Sequence, residues 1–112
     1  GSNVLLMGLS FKENCPDLRN TKIIDIVSEL KDYNINVDIF DPWVSEKDVM
    51  NEYGLNLTNS PDQEKYDAVI VAVAHNEFIE MGSDGIRSYL TEDGLLYDLK
   101  SLFAKNASDI RL

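Results

Sequence analysis

The chain has 112 residues, enough for one domain with a modest core and too few for two. Hydrophobic residues make up 44% of it, a globular rather than a disordered composition, and 20 acids against 10 bases leave a net charge of −10. That balance argues against nucleic acid as a partner, because neutralising a phosphate backbone takes a basic face; it leaves room for a small phosphorylated ligand held by a few cations.

The opening Gly1-Ser2 reads as a cloning scar, since Asn3-Val4-Leu5-Leu6-Met7 enters a strand almost at once. A domain that starts inside a core strand is expected to be trimmed from a larger protein, so the domain is placed at residues 3–112. Val4 to Phe11 is a short continuous apolar run, the pattern of a strand buried on both faces. A polar loop, Lys12 to Asn20, leads to a helix from about Thr21. There Ile23, Ile24, Ile26, Val27 and Leu30 recur at helical spacing, with Asp17 or Asn20 as its cap.

Ile35 to Phe40 alternates as a second strand and stops at Asp41-Pro42. A short helix from Ser45 to Tyr53 follows, closed by Gly54. Leu55-Asn56-Leu57-Thr58 reads as a brief edge strand, and residues 62–65 as a short acidic helix. Asp67 to Ala74 is the clearest buried strand. A helix over Phe78 to Leu90, interrupted at Gly82-Ser83-Asp84-Gly85, precedes a last strand at Leu95 to Asp98. The closing Asp109-Ile110-Arg111-Leu112 carries no evident structural signal.

Strands alternating with helices predict an α/β fold: a Rossmann-like, doubly wound, five-stranded parallel sheet in three layers, in the order 3-2-1-4-5. Ligands of such sheets bind beyond the carboxyl ends of the strands, where the winding reverses. No apolar run approaches the ~18 residues of a membrane span, and no signal peptide is evident, so no membrane is expected. One cysteine, Cys15, excludes an internal disulfide and points to the cytoplasm.

A doubly wound sheet suggests a dinucleotide site, which needs G-x-G-x-x-G in the first strand-to-helix turn. Here that turn holds only Gly8, and the loop after it runs about ten residues. Asp41 stands where a ribose-binding acid would be, but without the glycines it reads as a strand-ending turn. The long loop says more. Lys12 follows the strand directly and Arg19 lies close to the helix start, so two cations stand beside a terminus that favours anions. Such a set suits a diphosphate.

These residues also carry a family likeness. Gly8-Leu9-Ser10-Phe11-Lys12-Glu13-Asn14-Cys15-Pro16-Asp17-Leu18-Arg19-Asn20-Thr21-Lys22 resembles the opening of the UDP-binding domain of the UDP-glucose/GDP-mannose dehydrogenase family. The resemblance continues through Val37 to Pro42, through Asp67 to Phe78, and at Tyr97-Asp98-Leu99-Lys100. Landmarks in order over nearly the whole chain are far more specific than any one of them. The loop version is similar to that of the branch acting on UDP-N-acetylhexosamines for bacterial polysaccharides, such as the Vi-antigen enzymes.

The resemblance implies a C-terminal domain that binds the UDP-sugar of an NAD-dependent 6-dehydrogenase. In that family the sugar C6 alcohol becomes a carboxylate through a thioester on a cysteine. That cysteine lies in a Gly-Gly-x-Cys-x-Pro-type segment of a central region, which also mediates dimerisation, and NAD sits mainly on an N-terminal domain. Phe11 and Lys12 match the pair that touches the UDP-sugar, and Arg19 matches the arginine that reaches NAD across the cleft. Lys100 falls where several members carry an arginine for the substrate; lysine cannot form the bidentate fork. Cys15 is not in the thioester segment, so the fragment alone is expected to be inactive, and a homodimer is expected of the parent.

His75, the only histidine, cannot make a zinc site alone. At the crevice mouth it is either a polar contact lining the cleft or a structural hydrogen-bonding residue. Trp43 reads as packing or contact surface, and Tyr53, Tyr66 and Tyr89 as helix-edge core. The rival readings are a stand-alone Rossmann-like nucleotide-binding or regulatory module, and a flavodoxin-like or receiver-like domain. The second is opposed by the missing acids after the first strand.

Overall fold

Alternation along the first strand divides the interior in two. In β1 (Asn3–Met7), Leu5 and Met7 enter one buried cluster while Leu6 enters another. The computed structural model describes residues 2–18, 22–99 and 110–111. In chain order β1 is followed by α1 (Ile23–Asp32), β2 (Asn36–Phe40), α2 (Glu46–Tyr53), β3 (Tyr66–Val71), α3 (Asn76–Arg87), β4 (Leu90–Asp98) and the two-residue β5 (Ile110–Arg111).

All pairings are parallel, in the order β2-β1-β3-β4-β5. Phe78 and Ile86 of α3 join Leu5, Met7, Val69 and Val71 on one face of the sheet. On the other face Val27 of α1 and Val49 of α2 pack with Leu6, Ile39 and Ala72. Helices thus cover both faces, as parallel strands with no polar face require.

The helix ends follow local chemistry. Ser45 Oγ accepts the Asp48 N–H at 3.1 Å, and Gly54 closes α2 in the left-handed region at φ 67°. A cap of this kind contributes about 1 kcal/mol. In α3 the helix breaks at Gly82, whose φ of 71° and ψ of 170° lie outside the helical region. That is the interruption the glycines at 82 and 85 predict.

The predicted strand order is corrected. Leu55 to Thr58 forms no strand: between Gly54 and Pro61 it makes a hydrogen bond from Thr58 N–H to Ile39 O at 2.7 Å, and Leu57 is buried, without a ladder. The order 3-2-1-4-5 therefore loses its first member, leaving β2-β1-β3-β4. Ile110–Arg111 instead pairs with Tyr97 and Asp98 at the opposite edge.

Smaller expectations also change. Residues 62–65 turn rather than coil into a helix, and Tyr66 belongs to β3 rather than to a helix edge. Lys22, with no side-chain cap, precedes α1 in place of Asp17, while Asn20 lies outside the described residues. Finally, β1 ends at Met7 rather than Phe11, because Gly8 turns the chain out of the sheet at φ 104°.

The winding reverses between β1 and β3, so the crevice opens beyond Met7 and Val71. Here the backbone runs very close to a neighbour. A Cβ on Gly8 would lie 2.6 Å from Val73 Cβ and 2.9 Å from Val73 N. Only glycine fits, both for its φ and for the space.

Candidate functional site

Three segments converge beyond the carboxyl ends of β1, β2 and β3. From Gly8 the chain climbs out through Leu9 and Ser10, both buried, and emerges at Phe11, Lys12 and Glu13, all exposed. Phe11 keeps 57% of its surface exposed. The loop closes on itself through Phe11 N–H to Asp17 O at 2.7 Å and Ser10 Oγ to Lys12 O at 3.0 Å. Leu18 then re-enters the core, where the Tyr53 hydroxyl donates to its carbonyl.

Below the exposed turn sits a buried polar cluster. Asp41, which follows β2 and is 4% exposed, accepts the Leu9 and Ser10 N–H groups on Oδ2 at 2.8 and 3.0 Å. Its Oδ1 accepts the Trp43 N–H at 2.8 Å. His75 Nε2 lies 3.0 Å from each carboxylate oxygen. Burial would raise the Asp41 pKa; the hydrogen bonds from His75 and from the Leu9, Ser10 and Trp43 N–H groups outweigh it and hold the carboxyl below its usual value.

His75 is fully buried at the N-terminus of α3. Its Nδ1 receives the Asn14 backbone N–H at 2.9 Å, and a backbone N–H can only donate. The proton of the neutral ring is therefore on Nε2, directed at Asp41, with Ser10 Oγ at 3.2 Å from the same nitrogen. Trp43 stacks on the ring at 6.0 Å and 28°, and its Nε1–H donates to Glu77 Oε1 at 2.8 Å. Phe78 meets the other side edge-on at 5.4 Å.

Ser10, His75 and Asp41 are not a hydrolytic triad. A triad places serine and aspartate on opposite ring nitrogens, whereas both meet Nε2 here, and all three residues are buried. Nor do the described residues fit a nicotinamide dinucleotide at this turn. The glycine pattern is missing, and the Asp41 oxygens are engaged by three N–H groups and His75 instead of facing a ribose.

Of the residues predicted for the site, Phe11 and Lys12 stand together on the exposed turn. Arg19 and Lys100 lie outside the described residues. Cys15 is half-buried in the same loop, and Trp43 packs. Of the two readings of His75, the structural one holds. Asp41, read as a strand-ending turn, proves to organise three segments. The signal was present: an aspartate and the only histidine, each predicted to end a strand on the same edge of one sheet.

An open groove of about 490 Å³ lies at the other end, among Asn3, Lys31, Asn34, Asn36, Asp38 and Lys65. It adjoins the start of β1 and β2, not the edge where the winding reverses, and Lys65 there already pairs with Asp38 at 3.2 Å. Position in the topology makes the crevice the candidate site.

The sequence profile of the UDP-glucose/GDP-mannose dehydrogenase family, UDP binding domain, matches residues 5–105. The chain belongs to this family. It is 57% identical over all 112 residues to the UDP-N-acetyl-D-glucosamine 6-dehydrogenase of Pseudomonas aeruginosa, and 51% to that of Salmonella typhi. It spans about a quarter of the length of these relatives, 26% of each. Its fold is shared by the UDP-D-ManNAc dehydrogenase of Pyrococcus horikoshii, at a TM-score of 0.72 and 20% identity over 93% of this chain and 23% of that one. A GDP-mannose dehydrogenase of Pseudomonas aeruginosa gives 0.72 and 18%, over 96% and 27%. Among the described residues of this family member, no helix is long and apolar enough to cross a membrane.

Proposed function

We propose that residues 3–112 are the UDP-binding C-terminal domain of an NAD-dependent UDP-sugar 6-dehydrogenase, with the crevice beyond β1 and β3 as the nucleotide site. The observation that carries this is the family match over 5–105, with Phe11 and Lys12 exposed at the winding reversal of the same sheet. The substrate class is a UDP-N-acetylhexosamine, as in the relatives at 57% and 51% identity.

In this reading Lys12 places its ammonium on diphosphate or ribose oxygens, and Phe11 offers an apolar face to the nucleotide. Lys100 contributes a second substrate contact, and Arg19 reaches the cofactor across the domain cleft. NAD and the thioester cysteine belong to segments outside this chain, and the parent acts in the cytoplasm as a homodimer. The domain's own share is binding energy remote from the reacting carbon, used to orient the sugar. Alone it turns nothing over.

Calorimetric titration with UDP at low salt, beside a Lys12→Ala variant, tests the site. Weak binding lost on substitution is expected. Undiminished UDP binding by Lys12→Ala would sink the assignment, and tight NAD binding would overturn the reading of the Gly8 turn.

A further inference from the structure

The exposed turn that carries Phe11 and Lys12 is secured from beneath by a residue outside it. Asn14 carries attachments that reach across the crevice. Its N–H donates to His75 Nδ1 at 2.9 Å, and its side-chain oxygen accepts the Asn76 N–H at 2.9 Å, serving the open N-terminus of α3. Asn14 holds a left-handed backbone at φ 53°, a conformation asparagine tolerates better than most residues. The reversal there returns the chain toward Pro16 and the core.

We propose that His75, through the lone pair on Nδ1, is the positioning residue that holds the Phe11–Asn14 turn over the crevice, so that nucleotide affinity depends on a side chain with no exposed surface. This rests on the assignment of Phe11 and Lys12 to the nucleotide made above.

The imidazole suits the task because its two nitrogens do opposite jobs at a fixed span. Nε2–H is committed to Asp41, which also fixes Leu9 and Ser10 at the base of the loop. That commitment leaves Nδ1 as a bare acceptor for Asn14. Trp43 and Phe78 confine the ring on two sides, so it cannot turn to exchange the roles. Base and tip of the loop are thus referred to one rigid body.

The test has a part that needs no variant. In the ¹⁵N-labelled chain, nitrogen chemical shifts should show His75 protonated on Nε2 and bare on Nδ1. A coupling across the hydrogen bond should link Asn14 N to His75 Nδ1. The opposite tautomer, or no coupling, overturns the proposal.

Two variants then separate the ends of the ring. In His75→Asn the side-chain oxygen can stand near the place of Nδ1 and accept from Asn14, while the Asp41 end is lost. In His75→Gln the amide N–H can reach Asp41, while Asn14 loses its acceptor. The expected result is Asn14 amide exchange about tenfold faster and UDP affinity about tenfold weaker in His75→Gln, the scale of one lost hydrogen bond. His75→Asn should stay within about threefold of wild type in both. Equal effects of the two variants would indicate a packing role and refute positioning.

Lys12→Ala keeps the two readings apart. Loss of UDP binding with an unchanged Asn14 amide upholds the nucleotide assignment by itself. Retained binding removes that assignment, and the Asn14–His75 coupling still decides the attachment.

Discussion

One loop contains two regions of opposite character. From Gly8 to Ser10 every residue is buried and its backbone is held by Phe40 O or by Asp41; from Phe11 to Glu13 every residue is exposed. The three exposed residues can be exchanged with little effect on the fold, because water solvates them in either state. The buried ones cannot, because each N–H they bring inside needs its acceptor. Specificity can therefore vary at the tip while the base stays fixed, and a loss of binding has two physically distinct origins.

The sharpest way to break this comparison is Gly8→Ala. The added Cβ would meet Val73 at 2.6 Å in a backbone conformation that alanine rarely adopts. A loss of about 4 kcal/mol is expected from overlap and strain together. A denaturation midpoint near wild type would show that the base of the loop is not rigid.

Asp41→Asn comes next. The amide retains one acceptor oxygen but turns donors toward N–H groups, and about 3 kcal/mol should be lost in urea unfolding. The same pair of proteins gives a pH test. The Asp41 pKa is lowered on folding, so its carboxylate contributes stability above about pH 4, near the unfolded value. That contribution disappears as the pH falls through the depressed value. The gap between wild type and Asp41→Asn should therefore narrow on acidification, and a gap that widens would contradict the hydrogen-bonded carboxylate.

Asn14→Ala lies at the border of the two regions. It loses the bond to the Asn76 N–H and the tolerance for a positive φ, at about 1 to 2 kcal/mol. Smallest in stability is Lys12→Ala, expected within about 0.5 kcal/mol by thermal unfolding although UDP binding is lost. A large destabilisation there would erase the distinction between tip and base.

Legibility in the sequence follows the same division. Continuous apolar runs disclose β1 and β3, alternation discloses β2 and helical spacing discloses α1, while α2, α3 and the carboxyl half of β4 show through apolar stretches bounded by glycines, because burial on one or two faces is a local property of spacing. Leu55 to Thr58 misleads for the same reason: an apolar alternation records burial, and Leu57 is indeed buried, but it does not record whether a neighbouring strand offers a ladder. Ile110–Arg111 was too short to carry a pattern. The exposed Phe11 is legible only through the family likeness of the loop, and Lys12 also as a cation directly after a buried strand. The bonds that tie this loop to Asp41 and His75 join residues 31 to 65 positions apart, from Ser10–Asp41 to Ser10–His75, and no local window contains both partners.

Trp43 is the only tryptophan of the chain, and it stacks on His75 while donating to Glu77. The molecule therefore has one indole fluorophore, which can be excited apart from its five tyrosines and is placed against the ring that joins the loop to the sheet. Its emission colour and quenching read out the polarity at that point alone, with no contribution from an indole elsewhere. A shift on adding nucleotide or acid would be a local signal from the base of the crevice, available without any label.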